Sequence, residues 1–289
     1  MSLGVRFARL PRSLSRRLLP MLRYLNLMRA LEIRLMAPWL GQMEGSRVLD
    51  VGCGHGLYSL DLARRGAMLV GCDLQHPALT DARQTALGLG LNGQALFLLA
   101  DGAALPLPEG AFDLVICNCV LEHVADDGAA LAAMARSLRR GGILYLSVDN
   151  ADHGLTLGFL EGLSGGAKGR LLQPDVAAAP SVSAGLEARL DHLYAVLRRY
   201  HQDELTRSLS DLGLSILDSR PYLSGIGAAQ YEAFHVLRFL DQSRGLGRLL
   251  YMLSSLLLYP LAAWADDWGR AGEHGLAVVA RKDGKEAGE

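Results

Sequence analysis

The chain has 289 residues, half of them hydrophobic and a fifth charged. That balance excludes a disordered chain, and at roughly 150 residues per domain the length allows one large domain or one domain with an elaboration. With 29 basic against 30 acidic residues the net charge is −1, which argues against a dedicated nucleic-acid binder, a class that is usually basic.

The charge is unevenly placed. Residues 1–40 hold eight Arg and one acid, Glu32, a net +7, so the remainder carries −8. Four cysteines occur, Cys53, Cys72, Cys117 and Cys119, and none has the spacing of a zinc site. All lie in apolar, strand-like contexts and read as buried thiols of a reducing cytoplasm; no metal site is expected. Arg and Pro interrupt the first segment too often for a secretory signal, although an organelle transit peptide shares its Arg-rich, acid-poor character. No apolar run reaches the roughly 18–20 residues of a membrane span. The expected location is the cytoplasm, with peripheral contact on the inner membrane face as an extension of that reading.

Taken in order, residues 14–36 have a helical period. Leu18, Met21, Leu25, Met28, Leu31 and Leu35 form a stripe, Arg16, Arg23 and Arg34 face away, and Arg29 breaks the pattern. Such a helix either lies on an anionic membrane surface or packs on the domain with its arginines in water. From residue 47 the rhythm changes. Apolar runs at 47–51, 67–72, 95–100, 113–117 and 143–148 alternate with helical stretches near 57–65, 77–89 and 123–139. Strands alternating with helices, and continuously apolar, imply a parallel sheet covered on both faces.

Residues 164–185, rich in Gly, Ala, Ser and Pro, read as a mobile loop. Helices are expected at 186–200 and 203–212, and final strands at 214–219 and 275–281. Between those strands lies a helical insert, 229–268, which contains the uncharged stretch Leu249–Trp264. The expected fold is α/β: a doubly wound, mostly parallel, seven-stranded Rossmann-like sheet. An N-terminal helix precedes it, and a helical insert precedes the last strand. The expected regions are 1–45, the basic helical segment; 46–221, the core; 222–273, the hydrophobic insert or cap; and 274–289, the last strand and tail.

Three elements carry chemistry. In VLDVGCGHG, residues 48–56, a strand ends at Asp50 and a glycine loop opens a helix. Glycines let the backbone turn tightly and approach a ligand, and the helix N-terminus favours an anionic group. The third glycine of the GxGxxG dinucleotide pattern would fall at position 57, which is Leu57, so a nicotinamide-dependent oxidoreductase is the weaker alternative. Asp73, 21 residues after Gly52, ends the next strand and could accept two ribose hydroxyl bonds or simply cap a helix. Asp101-Gly102 follows the third strand.

These blocks resemble the class I S-adenosylmethionine (SAM)-dependent methyltransferases, specifically the methyltransferase type 11 family. VLDVGCGHG resembles its nucleotide loop and GCDLQ its ribose strand. ADGAALPLPEGAFDLVICNCVLEHV resembles the adenine block and RRGGILYLSV the fifth strand. The likeness covers about residues 46–150. It implies that Asp50, Gly52, Cys53 and Gly54 hold the methionine part of SAM. It also implies that Asp73, with Leu74 beside it, binds the ribose, that Asp101 and the Gly102 amide face the adenine amino group, and that Asn118 lines the methyl end. His123, in LEHV, is the candidate catalytic base, with packing or capping as the bland reading; His153 and His201 are weaker candidates. A non-catalytic SAM-binding protein would show a broken cofactor block, and none is visible. The amino-methylating DNA enzymes' Asn/Asp-Pro-Pro-aromatic block is replaced by Asn118-Cys119-Val120-Leu121, so no nucleic acid is expected as partner.

Neither the N-terminal helix nor the insert belongs to the resemblance. Three readings are open for Leu249–Trp264: a cap over the domain, monotopic membrane contact, or a dimer contact. As a helix it spans roughly 24 Å, short of a ~30 Å bilayer core, and Pro260 should kink it. With the basic N-terminal segment, it points to a small hydrophobic or membrane-associated acceptor: quinone-like, prenylated, lipid or glycolipid. A soluble small metabolite is the alternative.

Overall fold

The computed structural model describes residues 26–56, 58–152, 196–223, 227–231, 233, 246–267 and 274–284. His153, the loop 164–185, the first part of the expected N-terminal helix and the middle of the insert lie outside the described residues.

The first element is α1 (Leu27–Met36), whose N-cap Asn26 accepts a bond from the Arg29 amide. The core then runs β1 (Arg47–Val51), α2 (Ser59–Arg64), β2 (Met68–Asp73), α3 (His76–Leu89), β3 (Ala95–Leu99), β4 (Phe112–Asn118), α4 (Asp127–Ser137) and β5 (Leu138–Asp149). It closes with α5 (Gln202–Asp211), β6 (Leu214–Tyr222), α6 (Leu246–Asp267) and β7 (Gly275–Lys282). The seven strands form one sheet in the order β3-β2-β1-β4-β5-β7-β6. β7 is antiparallel to both β5 and β6, and the other pairs are parallel. The expected mostly parallel, seven-stranded fold is therefore present. Val48, Leu49, Val115, Leu144, Leu146 and Val278 are almost wholly buried, as strands covered on both faces require.

Strand order reverses between β1 and β4. A crevice opens above the carboxyl ends of strands at such a switch point, where ligands of open α/β sheets bind. Val51 at the end of β1 stands level with Cys72 of β2 and Cys117 of β4, and Asn118 is level with Ser147 of β5.

Three local expectations change. The helix expected from residue 123 begins at Asp127, because Asp126 caps it at the Ala129 amide. Residues 121–123 instead form one tight turn. Residues 196–200, expected to end a helix, are not helical. Tertiary partners take their backbone groups: Leu197 N donates to Glu122 O and Tyr200 N to Asp149 O. Helix α6 continues past both ends of Leu249–Trp264, running 22 residues through Pro260.

Helix α6 is apolar on two faces with different fates. Tyr251, Ser255 and Ala262 are buried against the body. Gln230 Nε2 donates to Ser254 Oγ and Ser255 Oγ at 2.7 and 3.0 Å, and Arg34 Nη1 to Ala263 O at 3.1 Å. Leu250, Leu253, Leu257, Leu261 and Trp264, three or four residues apart, are exposed, Leu257 to 77%. No helix among the described residues is long and apolar enough to cross a membrane.

Candidate functional site

The loop after β1 is shaped by backbone geometry. Gly52 N and Cys53 N both donate to Cys72 O, at 2.8 and 2.9 Å, which folds the loop back over β2. Gly52 has φ +70, and a Cβ there would lie 2.3 Å from Val120 Cγ2, so glycine is required on both counts. Gly54, at φ +51, would meet nothing within 4 Å. The chain is pinned below this loop and open above it.

Asp73 ends β2 and faces the loop. Its Oδ2 accepts from Gly54 N at 2.8 Å and its Oδ1 from Gln75 N at 2.7 Å. Each carboxylate oxygen keeps a second acceptor position. Leu74 beside it is 68% exposed, a large apolar side chain on the rim of a polar cleft. Asp101 is exposed and its Oδ1 caps the following turn at Ala103 N, 2.9 Å. Asp101 thus caps this turn while its carboxylate stays accessible.

Asp50 is buried below the loop. Burial pushes its carboxyl up to about 7, against an ordinary value of 3.8; a Ser59 hydrogen bond works downward, Asp73 upward and Arg29 downward. Cys53 and Cys72 are buried thiols, and burial drives Cys72 up to about 12, which makes it inert as a nucleophile. Asn118 is buried at the end of β4, and Ser147 Oγ reaches its Oδ1 at 3.3 Å. Cys119 follows with φ +48, a left-handed conformation uncommon outside glycine, and its amide donates to Ser147 O at 2.9 Å. His123 sits in the turn past β4 with an exposed ring whose Nε2 is 4.0 Å from Glu122 Oε1. Glu122 is buried and its Oε2 has no hydrogen-bond partner among the described residues. Burial, with Asp149 nearby, holds its carboxyl well above the usual carboxylate range.

Sequence reasoning missed the most heavily bonded group near this cleft. Glu32, on α1, is fully buried. Its Oε1 accepts from Tyr222 OH at 2.7 Å, Cys119 Sγ at 3.1 Å and Ser147 Oγ at 3.3 Å. Its Oε2 accepts from Arg29 Nη1 at 2.8 Å, and its carbonyl from Tyr145 OH at 3.0 Å. Arg29 also lies 5.5 Å over the Tyr58 ring. The one available signal was Glu32 itself, a lone acid in a basic segment, with Arg29 three residues earlier breaking the stripe.

The donor set suits SAM. The loop gives open space above Gly54, Asp73 and Asp101 offer carboxylate acceptors at successive strand tips, and Leu74 offers an apolar face. Arg29 is the cation beside Glu32, while Glu122 lies near enough to Asp149, and Asp50 to Asp73, for each pair to interact. This acid-rich edge suits a ligand bearing sulfonium and ammonium charges. Among the described residues no group of three or more His, Cys, Asp or Glu is placed to hold a metal ion.

A family model described as a methyltransferase domain matches residues 49–146. The ubiquinone biosynthesis O-methyltransferase of Aeromonas salmonicida is 39% identical over 110 residues, 38% of this chain and 46% of that protein. The enzyme of the same name from Alkalilimnicola ehrlichii is 39% identical over 120 residues, 42% of this chain and 48% of its own length. The chain thus spans about half the length of these curated relatives. Among solved structures, the [4+2]-cyclase SpnF superposes with a TM-score of 0.56 at 22% identity, covering 87% of this chain and 82% of that one. Geranyl diphosphate C-methyltransferase from Streptomyces coelicolor A3(2), in complex with S-adenosyl-L-homocysteine, gives 0.57 at 14% identity, covering 88% and 77%. At such identities these structures establish the fold alone, and a cyclase among them shows that this fold hosts more than one chemistry. The matched domain, the sheet order and the cofactor cradle agree: over residues 49–146 this chain carries a class I SAM-dependent methyltransferase domain, and its cofactor is SAM.

Proposed function

We propose that the whole protein transfers a methyl group from SAM to an oxygen of a small, hydrophobic, quinone-like acceptor drawn from a membrane surface. The observation that carries the acceptor class is the exposed apolar stripe of α6, from Leu250 to Trp264, on a chain whose matched segment is 39% identical to ubiquinone biosynthesis O-methyltransferases.

In this reading the Asp73 carboxylate binds the ribose hydroxyls and Leu74 packs on the adenine ring. Asp101 and the Gly102 amide take the adenine amino group. Asp50, Gly52, Cys53 and Gly54 hold the methionine part, and Asn118 lines the methyl end. SAM supplies an already activated methyl group, so the protein's own work is alignment and exclusion of water. In this reading His123, exposed in the turn past β4, contacts the acceptor.

Membrane contact belongs to the same reading. The first 25 residues hold six Arg and no acid. That segment enters the described body at Asn26, whose Oδ1 accepts from Tyr251 OH of α6 at 3.1 Å. The described chain that follows this segment therefore begins against α6. Basic residues near an anionic surface contribute about 1 kcal/mol each, and immersed apolar side chains add a contribution that salt does not screen.

Incubation with methyl-labelled SAM and a membrane-lipid extract tests the function. The expected result is label in the organic phase, on a phenolic or quinol oxygen. Label confined to water-soluble products would favour a soluble metabolite as acceptor, and no labelled product at all would count against turnover.

A further inference from the structure

Two residues outside the matched domain form a hydrogen-bonded pair at the carboxyl edge of the sheet. Asp152 follows the end of β5 by three residues, and His201 immediately precedes α5. His201 Nδ1 and Asp152 Oδ1 are 2.6 Å apart. Both side chains are more than half exposed, 56% and 58%. The backbones beneath them are not loose. Buried Asn150 accepts from Asp152 N at 3.1 Å, Ala151 N donates to Tyr200 O at 2.9 Å, and Tyr200 N donates to Asp149 O at 3.1 Å. Tyr200 OH reaches Leu121 O at 3.2 Å and Asp127 Oδ2 at 2.9 Å. The strip that carries His201 is thereby tied to the turn past β4, the turn that holds His123.

The residue before a helix usually caps free backbone N–H groups with its side chain. His201 makes no such bond, and its ring is committed to Asp152 instead. A polar contact this exposed contributes little stability, so stability is a poor reason for using a cap position this way. An imidazole held at one nitrogen by a carboxylate, in a side chain more than half exposed, is the arrangement of an oriented base.

We infer that His201, positioned by Asp152, is the base that takes the proton of the acceptor hydroxyl. This rests on the reading of the protein as an O-methyltransferase. The acceptor O–H bond breaks and its proton passes to Nε2 of His201. The oxygen keeps the electron pair and forms the new C–O bond as the carbon–sulfur bond breaks and its pair stays on sulfur. Asp152 stabilises the imidazolium and returns no proton itself.

The first readout needs no methyl donor. The probe is 4-nitrocatechol, whose ionised form is coloured, added to the full chain at a pH where the free probe is mostly neutral. The wild-type protein should raise the ionised fraction. His201→Gln should lower that gain at least fivefold, and Asp152→Asn should lower it by an intermediate amount. In turnover with SAM and unsubstituted catechol, His201→Gln should cut kcat by roughly a hundredfold, the usual scale of a lost base, with KM within threefold. The loss should shrink with 4-nitrocatechol, whose proton leaves more readily. A wild-type protein that leaves the probe neutral overturns the inference. So does His201→Gln with the wild-type spectrum, or a loss found in His123→Gln in its place. If the wild type methylates no catechol or quinol, the O-methyltransferase reading fails; if it does so and His201→Gln matches it, only this inference fails.

Discussion

Tyr222, the last residue of β6, donates its hydroxyl to Oε1 of Glu32 on α1 at 2.7 Å, across 190 residues of sequence. The bond joins the N-terminal helix to a strand end beside the cleft. Cys119 and Ser147, at the ends of β4 and β5, converge on the same oxygen. A carboxylate removed from water needs donors for its lone pairs, and here Oε1 has three and Oε2 has one.

Glu32→Ala should therefore cost about 3–5 kcal/mol of stability, the scale for breaking a buried ion pair, because Arg29, Tyr222 and Cys119 lose their partner together. Urea denaturation followed by circular dichroism measures it. A loss under about 1 kcal/mol would mean the hub is as weak as a surface pair.

Asp73→Ala should weaken SAM binding at least tenfold, since each bond to a charged acceptor contributes ~1.5–3 kcal/mol and 1.4 kcal/mol is one decade. Removing the carboxylate also frees Gly54 N and Gln75 N, so some thermal stability should be lost as well. Calorimetry with SAM and with S-adenosyl-L-homocysteine reads the affinity. Unchanged affinity for both would leave Asp73 only its structural bonds.

Asp50 carries a pH signature. Its carboxyl lies near 7 in the fold against 3.8 ordinarily, so the folded chain holds the proton more tightly than the unfolded one. Stability from this group is full below about 4 and is lost as pH rises toward 7, by on the order of 4 kcal/mol at 1.36 kcal/mol per unit. Asp50→Asn should gain stability relative to wild type between pH 5 and pH 8, in paired urea titrations. Parallel curves would contradict the shift. If the Asp50 carboxylate faces the cofactor's ammonium, SAM binding below pH 7 should also release a proton, measurable by calorimetry in two buffers of different ionisation enthalpy.

Leu257 and Leu261 are exposed, so replacing both with Ser should leave the melting temperature nearly unchanged. Burial of a Leu side chain contributes ~1.5–3 kcal/mol, so the pair should account for at least a tenfold loss in binding to anionic vesicles. Replacing Arg16, Arg17 and Arg23 with Gln should remove the salt-sensitive part of binding. Wild-type protein that stays in the supernatant with phosphatidylglycerol-containing vesicles at low salt would end the membrane reading.

The sequence by itself determined the sheet and the position of the glycine loop after β1. Strands 47–51, 112–118 and 275–282 could be read nearly to the residue, because a strand buried on both faces must be continuously apolar. Gly52, Asp73 and Asp101 were legible because each is a local solution at or just past a strand tip. Tertiary structure alone decided the rest. Glu32 could not be paired in advance with Tyr222, Cys119 and Ser147, since this buried carboxylate draws those donors from three places far apart in the chain. Nor could Asp152 be matched to His201, which the backbone bridge at Asn150 and Tyr200 brings together. The all-apolar character of Leu249–Trp264 hid which side of the helix is covered. Only the packing of Tyr251, Ser255 and Ala262 on the body distinguished the inner face from the stripe that remains open. Composition records how much apolar surface a helix has, and only its neighbours settle which part meets water.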